Sequence, residues 1–130
     1  MRPGEGLPPD DPRERLNRAR SNLARAQTLI PAAYLEDACF DAQQAAEKAI
    51  KAVMVLRGIE YPYFHELHRL LDILEADGER IPDAVRRAED LTQFATAARY
   101  PGLEEPVTEQ GHSEAVNRAQ AVVQWAEALL

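Results

Sequence analysis

The chain has 130 residues, enough for one domain built around a single hydrophobic core. Its 22 acidic and 15 basic residues give a net charge of −7, which disfavours binding of nucleic acid through an extended basic surface. The one cysteine, Cys39, excludes an intrachain disulfide, and we expect it to be a small buried side chain. Because no apolar run could span a bilayer and the N-terminus lacks the apolar part of a signal peptide, we expect a cytoplasmic protein without membrane contact.

The N-terminal region is expected to contain a tail followed by a helix. Residues 1–11, rich in proline, are predicted to be disordered, and residues 12–130 to form the domain. Asp11 is expected to cap the first helix, with Pro12 at its first position and Glu14 as the acid of a capping box. One apolar stripe follows at spacings of three and four, formed by Leu16, Ala19, Leu23, Ala26 and Ile30.

Arginine is concentrated in this first helix. Residues 1–30 hold six arginines against four acids, although the rest of the chain is strongly acidic. We interpret these arginines as a solvated helix face, and contact with phosphate or with an acidic partner is the alternative.

A long second helix is expected from about residue 32 to residue 57, where Gly58 favours its termination. One broad face is rich in alanine, which lets neighbouring helices approach closely. On another side, Phe40, Ile50 and Met54 form a second apolar patch. A helix with two apolar sides must cover both, so it lies either in the centre of a bundle or against a second subunit.

A narrow polar strip also follows the second helix. It consists of Asp41, Gln44, Lys48 and Lys51, which recur at spacings of three and four. The strip is either a solvated face, stabilised by side-chain pairs worth a few tenths of a kcal/mol each, or the lining of a binding site.

Three more helices are expected in the rest of the chain. The third covers residues 65–77, with four leucines on one side; the fourth covers residues 81–99, started by Pro82; the last runs roughly over residues 113–130. Short connections between five helices favour an all-α fold, an up-and-down bundle of four to five helices. The short third helix either completes a layer or lies outside the bundle.

Arg99 lies on the apolar side of the predicted fourth helix. An arginine there needs a partner, because an unpaired buried charge is very costly. It either contacts the last carbonyl groups of its own helix or pairs across the bundle with Asp41 or Glu47.

The sequence contains few signals for catalysis. His65 and His68 are three residues apart, but no third ligand stands at a typical metal spacing, so we expect no metal. Phosphate-binding glycine loops are absent, and we expect no cofactor. General acid–base catalysis by His65 with Asp41 is conceivable, although nothing in the spacing requires it.

Three separated segments together resemble the HEPN family (higher eukaryotes and prokaryotes nucleotide-binding domain). They are FDAQQAAEKA at residues 40–49, FHEL at residues 64–67, and Arg99-Tyr100-Pro101. Their order and separation match the family pattern, over roughly residues 16–130. The resemblance implies a helical bundle, often a homodimer, commonly paired with a minimal nucleotidyltransferase in a toxin–antitoxin module.

Some HEPN branches are metal-independent endoribonucleases with an arginine four to six residues before a histidine. This chain departs from that pattern, because seven residues separate Arg57 from His65 and twelve separate Arg99 from His112. It departs again at Asp41, where many relatives have histidine. Both departures favour binding of a nucleotide or a protein partner over RNA cleavage.

We therefore expect a non-enzymatic component that binds a nucleotide or a nucleotidyltransferase. Its expected ligand-binding residues are Asp41, Gln44, Glu47, Lys48, His65, Arg99 and Tyr100. One alternative is an atypical endoribonuclease toxin acting on RNA, with His65, Arg99 and His112 as catalytic candidates. Another is a purely structural subunit that forms a homodimer.

Overall fold

The computed structural model describes residues 7–97 and 106–130, and only the backbone of residues 96 and 97. Within these residues the secondary structure is helical throughout, without strands. The elements are α1 (Pro12–Gln27), α2 (Leu35–Leu56), α3 (Leu67–Ala76), α4 (Asp83–Arg86), a 3₁₀ helix (Arg87–Gln93), α5 (Phe94–Ala97) and α6 (Glu109–Leu129). The predicted all-α bundle is confirmed. The predicted disorder of residues 1–11 stays a prediction, and residues 1–6 lie outside the described residues.

Helix α1 begins as its sequence predicts. The Asp11 carboxylate accepts a hydrogen bond from the Arg13 amide at 2.8 Å, and Pro12 occupies the first turn. The capping-box role of Glu14 was wrong, because this carboxylate is buried and lies 3.3 Å from Arg18 Nε instead. The apolar stripe was one residue too long, since α1 ends at Gln27 and Ile30 is exposed in the following turn.

Helix α2 is the central helix of the bundle. It packs against α1 and α6 along most of its length, and Ile50 and Met54 are completely buried within one chain. Of the two alternatives for the second apolar patch, Ile50 and Met54 therefore lie in the centre of the bundle and not against a second subunit. The helix is followed by Gly58, whose φ of 74° is in the left-handed region that favours glycine, as predicted.

The predicted fourth helix is interrupted. Only one α-helical turn follows Pro82 before the chain tightens into the 3₁₀ helix and then returns to α-helix at Phe94. Val85, Ala88 and Ala95 are buried. The Thr92 hydroxyl accepts a hydrogen bond from the Leu67 amide at 3.0 Å, and this bond ties the segment to the start of α3.

Helix α6 begins four residues earlier than predicted. The Thr108 side chain caps it by accepting from the Gly111 amide at 3.0 Å, so His112 lies within the helix and not before it. The residue before this cap, Val107, donates its amide hydrogen to Glu36 of α2 at 3.1 Å. This hydrogen bond therefore holds the N-terminal end of α6 next to the N-terminal end of α2.

One apolar core joins all these elements. Small residues of α2 face α1 and α6, and four buried leucines anchor α3 against α2: Leu67, Leu70, Leu71 and Leu74. The four leucines confirm the face predicted for the third helix. Among the described residues, no helix combines the length and the apolar character needed to cross a membrane.

Candidate functional site

The polar strip of α2 faces α1 and is not freely solvated. Helices α1 and α2 run side by side in opposite directions, and Arg18, Asn22 and Arg25 recur on α1 at spacings of four and three. Asp41 and Glu47 are more than nine-tenths buried, and Lys48 is partly buried. We call the polar side chains along this side of α2, together with the residues that they contact, the α1–α2 seam.

One end of the seam is the Asp41 cluster, formed by Asp41, Asn22, Lys48 and Arg25. The Asn22 side chain bridges the two helices: its Nδ2 donates to Asp41 Oδ1 at 2.9 Å, and its Oδ1 accepts from Lys48 Nζ at 2.7 Å. Arg25 Nε lies 3.5 Å from the other Asp41 oxygen, with a largely exposed side chain. The Asn22 side chain thus bridges Asp41 and Lys48.

The other end is the Glu47 cluster, formed by Glu47, Gln43, Lys51 and His65. Gln43 Nε2 donates to Glu47 Oε1 at 2.8 Å, and Lys51 Nζ donates to Oε2 at 2.9 Å. His65 Nδ1 lies 2.9 Å from Oε1. Because a carboxylate only accepts, Nδ1 carries the hydrogen, and in the neutral ring Nε2 is left as an acceptor. The His65 side chain is 59% exposed, so the ring joins a buried acid to solvent.

These hydrogen-bond donors stabilise the negative charge of the buried Glu47 carboxylate. Burial by itself raises the pKa of a carboxyl group, but the hydrogen bonds from Lys51, Gln43 and His65 outweigh it and hold the pKa of Glu47 below its ordinary value. Lys51 also lies 5.1 Å from the centre of the Tyr61 ring, whose centre is 4.6 Å from the guanidinium carbon of Arg15.

Lys48 lies among like charges. Burial and the nearby guanidinium groups of Arg18 and Arg25 lower the pKa of Lys48, and Glu47 and Asp41 oppose this effect only in part. Both arginines also have acidic partners, since Arg18 Nε lies 3.3 Å from Glu14 and Arg25 Nε lies 3.5 Å from Asp41.

The structure places five of the predicted ligand-binding residues in the two neighbouring clusters of α2. They are Asp41, Gln44, Glu47, Lys48 and His65, with Gln44 joined through a 2.7 Å hydrogen bond to Gln43. Arg99 and Tyr100 lie outside the described residues, and so does the predicted pairing of Arg99 with Asp41 or Glu47. Both acids already have partners within the described residues.

His112, a catalytic candidate from the sequence, has a different environment. It is buried, and its Nε2 donates to the main-chain carbonyl of Ala26 at 2.8 Å, at the end of α1. A carbonyl accepts only, so this bond fixes the hydrogen on Nε2 and joins α6 to α1. The role of His112 in this structure is therefore to hold α6 against α1.

Asn22 and Gln43 were not predicted as site residues, although Asn22 bridges Asp41 and Lys48 and Gln43 bridges Glu47 and Gln44. A signal for Asn22 was present, because Arg18, Asn22 and Arg25 form a polar line on α1 matching the polar strip of α2 in reverse order. Gln43 gave no such signal, since its place next to the apolar patch is typical of an exposed residue.

Other residues of interest are less reactive. Cys39 is buried as expected, and burial together with the nearby Glu36 raises the pKa of its thiol to about 11. In the part of the chain that the structure describes, no three histidine, cysteine or acidic side chains are grouped so as to hold a metal ion.

The HEPN domain family model matches residues 12–129, which is most of the chain. The protein belongs to the HEPN domain family. The predicted membership of this family is thereby confirmed. The FDAQQAAEKA and FHEL segments supply Asp41 and Lys48 of one cluster, and Gln43, Glu47 and His65 of the other.

Two solved structures share the fold of this HEPN domain. The crystal structure of TT1696 from Thermus thermophilus is 32% identical, with a TM-score of 0.78, and the match covers 92% of this chain and 98% of that one. ST0689, described as an archaeal HEPN homologue, is 27% identical with a TM-score of 0.73, and the match covers 92% and 97% of the two chains.

A curated relative is the Methanocaldococcus jannaschii protein named "Putative toxin MJ1304", which is 27% identical over 92 residues. The match covers 66% of this chain and 60% of that protein. The chain thus spans less than two thirds of the length of this relative.

Proposed function

We propose that this HEPN protein is one component of a two-component module of the toxin–antitoxin type. Within that module, the protein binds a nucleotide or a minimal nucleotidyltransferase through the α1–α2 seam, and it acts as a cytoplasmic homodimer. The toxin name of the M. jannaschii relative supports the class of module. The observation that carries the binding role is the largely exposed guanidinium of Arg25 next to Asp41, which Asn22 bridges to the amine of Lys48. These cations form a surface suited to phosphate groups.

Calorimetry with ATP tests the nucleotide form of this proposal. Lys48→Ala removes a cation from the Asp41 cluster, and we expect affinity for ATP to fall at least about tenfold, as for loss of a charge-assisted contact. Arg20→Ala is the matched control, because Arg20 pairs with Glu127 of α6 instead and should leave affinity unchanged. Equal affinities in the wild type and Lys48→Ala would exclude the seam as the nucleotide site.

The partner form is tested by sedimentation with a purified minimal nucleotidyltransferase, preferably one encoded next to this gene. We expect a complex with the wild type and a weaker one with Lys48→Ala. An adjacent reading frame of another kind, together with no complex, would leave the purely structural homodimer as the better hypothesis.

A second candidate function, an atypical endoribonuclease, is supported by the contact between Glu47 and His65. The carboxylate holds hydrogen on Nδ1, and the exposed Nε2 of His65 is suited to accept the proton of an RNA 2′-hydroxyl. The 2′-oxygen would then form a bond to phosphorus as the bond from phosphorus to the 5′-oxygen breaks, and water would protonate that leaving oxygen. The products are a 2′,3′-cyclic phosphate and a 5′-hydroxyl.

Sequencing of RNA ends after induction in cells separates the two candidate functions. Under the endoribonuclease hypothesis, the wild type and the control His68→Asn produce new 5′-hydroxyl ends, and His65→Asn does not. His68 is a suitable control because it is an exposed histidine three residues further along. Absence of new ends from the wild type would rule out cleavage and leave the binding role untouched.

A further inference from the structure

The elbow between α1 and α2 exposes an unusual number of large apolar side chains. Leu29 is 63% exposed, Ile30 is 62% exposed and Tyr34 is 76% exposed, within six consecutive residues. Single exposed apolar residues are ordinary, but a group of adjoining ones marks an interaction surface.

The same elbow also contains a groove. It has a volume of about 520 Å³ and lies between the last turn of α1 and the first turns of α2. Leu29, Ile30 and Tyr34 line it, together with Ala33 and Phe40. Protruding apolar side chains and an apolar cleft therefore lie on one surface, which is the arrangement that a self-complementary interface requires.

The charges at the groove are also self-complementary. Arg25 lines it on the α1 side, and Asp37 and Asp41 line it on the α2 side. Arg25 Nε lies 3.5 Å from Asp41 of the same chain, whereas Asp37 has no ion-pair partner within residues 7–97 and 106–130. A two-fold axis through the groove would place each cation opposite an acid of the other copy.

We propose that this elbow surface is a two-fold interface with a second copy of the chain. Leu29, Ile30 and Tyr34 enter the groove of the other copy, and Arg25 faces Asp37 of the partner subunit. A second copy is favoured over an unrelated partner because the protrusions, the cleft and both charges all belong to the same patch. This inference rests on the homodimer of the proposed function and assigns its contact surface.

Sedimentation velocity of the full chain over a wide range of concentrations tests the surface. We expect the wild type to be a dimer, and Tyr34→Asp to raise the dissociation constant at least about tenfold. Tyr63→Asp is the matched control, since Tyr63 is a 97% exposed tyrosine outside the elbow, and it should dimerise like the wild type. Circular dichroism should show equal helix content in all three proteins.

A charge-reversal set tests the pairing itself. Arg25→Glu and Asp37→Arg should each weaken the dimer, because each places like charges opposite one another, and the double variant should restore it. If the wild type is a dimer, and Tyr34→Asp and both charge variants dimerise with the same affinity, the elbow is not the interface, although the proposed dimer stands. A wild type that is monomeric at every concentration overturns both. A monomer that loses a co-purified protein on Tyr34→Asp substitution would show that another partner occupies the groove, which also overturns self-pairing.

Discussion

The two carboxylates of the α1–α2 seam are both buried, but their partners come from different parts of the chain. Asp41 is held by Asn22 and Arg25 of the neighbouring helix, and one of these partners is largely exposed. Glu47 is held by two residues of its own helix and by His65 from the loop before α3. The Asp41 cluster thus includes a side chain that solvent reaches, whereas the Glu47 cluster holds one exposed imidazole against a buried acid.

The largest effect is expected for the Glu47 cluster. Glu47→Gln keeps the size of the side chain but places an amide N–H₂ against at least one donor, so we expect it to lower the free energy of unfolding by about 1–3 kcal/mol. Urea denaturation measures this difference. Glu114→Gln, at an exposed position of α6, is the control and should change stability by less than about 0.5 kcal/mol. Equal stabilities of Glu47→Gln and the wild type would contradict the view that the donors stabilise a buried charge.

A smaller effect is expected for the Asp41 cluster. Asp41→Asn retains an oxygen that can accept from Asn22 and loses the ion pair with the exposed Arg25, so we expect a cost of about 0.5–1.5 kcal/mol. The same urea experiment measures it. A cost larger than that of Glu47→Gln would reverse the comparison between the two clusters.

The smallest effect is a pH dependence that we expect of the Glu47 cluster. The pKa of Glu47 is lower in the folded chain than its ordinary value of 4.5, so its stabilising contribution is complete above that value and is lost as the pH falls through the folded pKa. The stability difference between wild type and Glu47→Gln should be constant from neutral pH to about pH 5 and then shrink in acid. A difference that grows in acid would contradict the lowered pKa.

The helices were predictable because local chemistry specifies them. Asp11 and Pro12 start α1, Gly58 follows α2, and four leucines define the inner face of α3. The interruption after Pro82 and the early start of α6 at Thr108 were not predictable, because helix ends depend on contacts such as that of Thr92 with Leu67.

The candidate site was predictable only in part. The predicted set included Asp41, Gln44, Glu47, Lys48 and His65, and the folded chain divides these five between two clusters of hydrogen bonds. It did not separate the exposed His65 from the buried His112, since both are histidines near helix starts in the sequence.

By itself the sequence determined that this chain forms helices, roughly where they lie, and that they belong to a HEPN domain, because helix periodicity, capping residues and spaced motifs are local properties. The tertiary structure alone decided which polar side chains of α2 are buried and which partner each one has. Hydrogen bonds such as that of Asn22 with Lys48 join residues far apart in the chain, and only the packing of α1 on α2 brings them within reach.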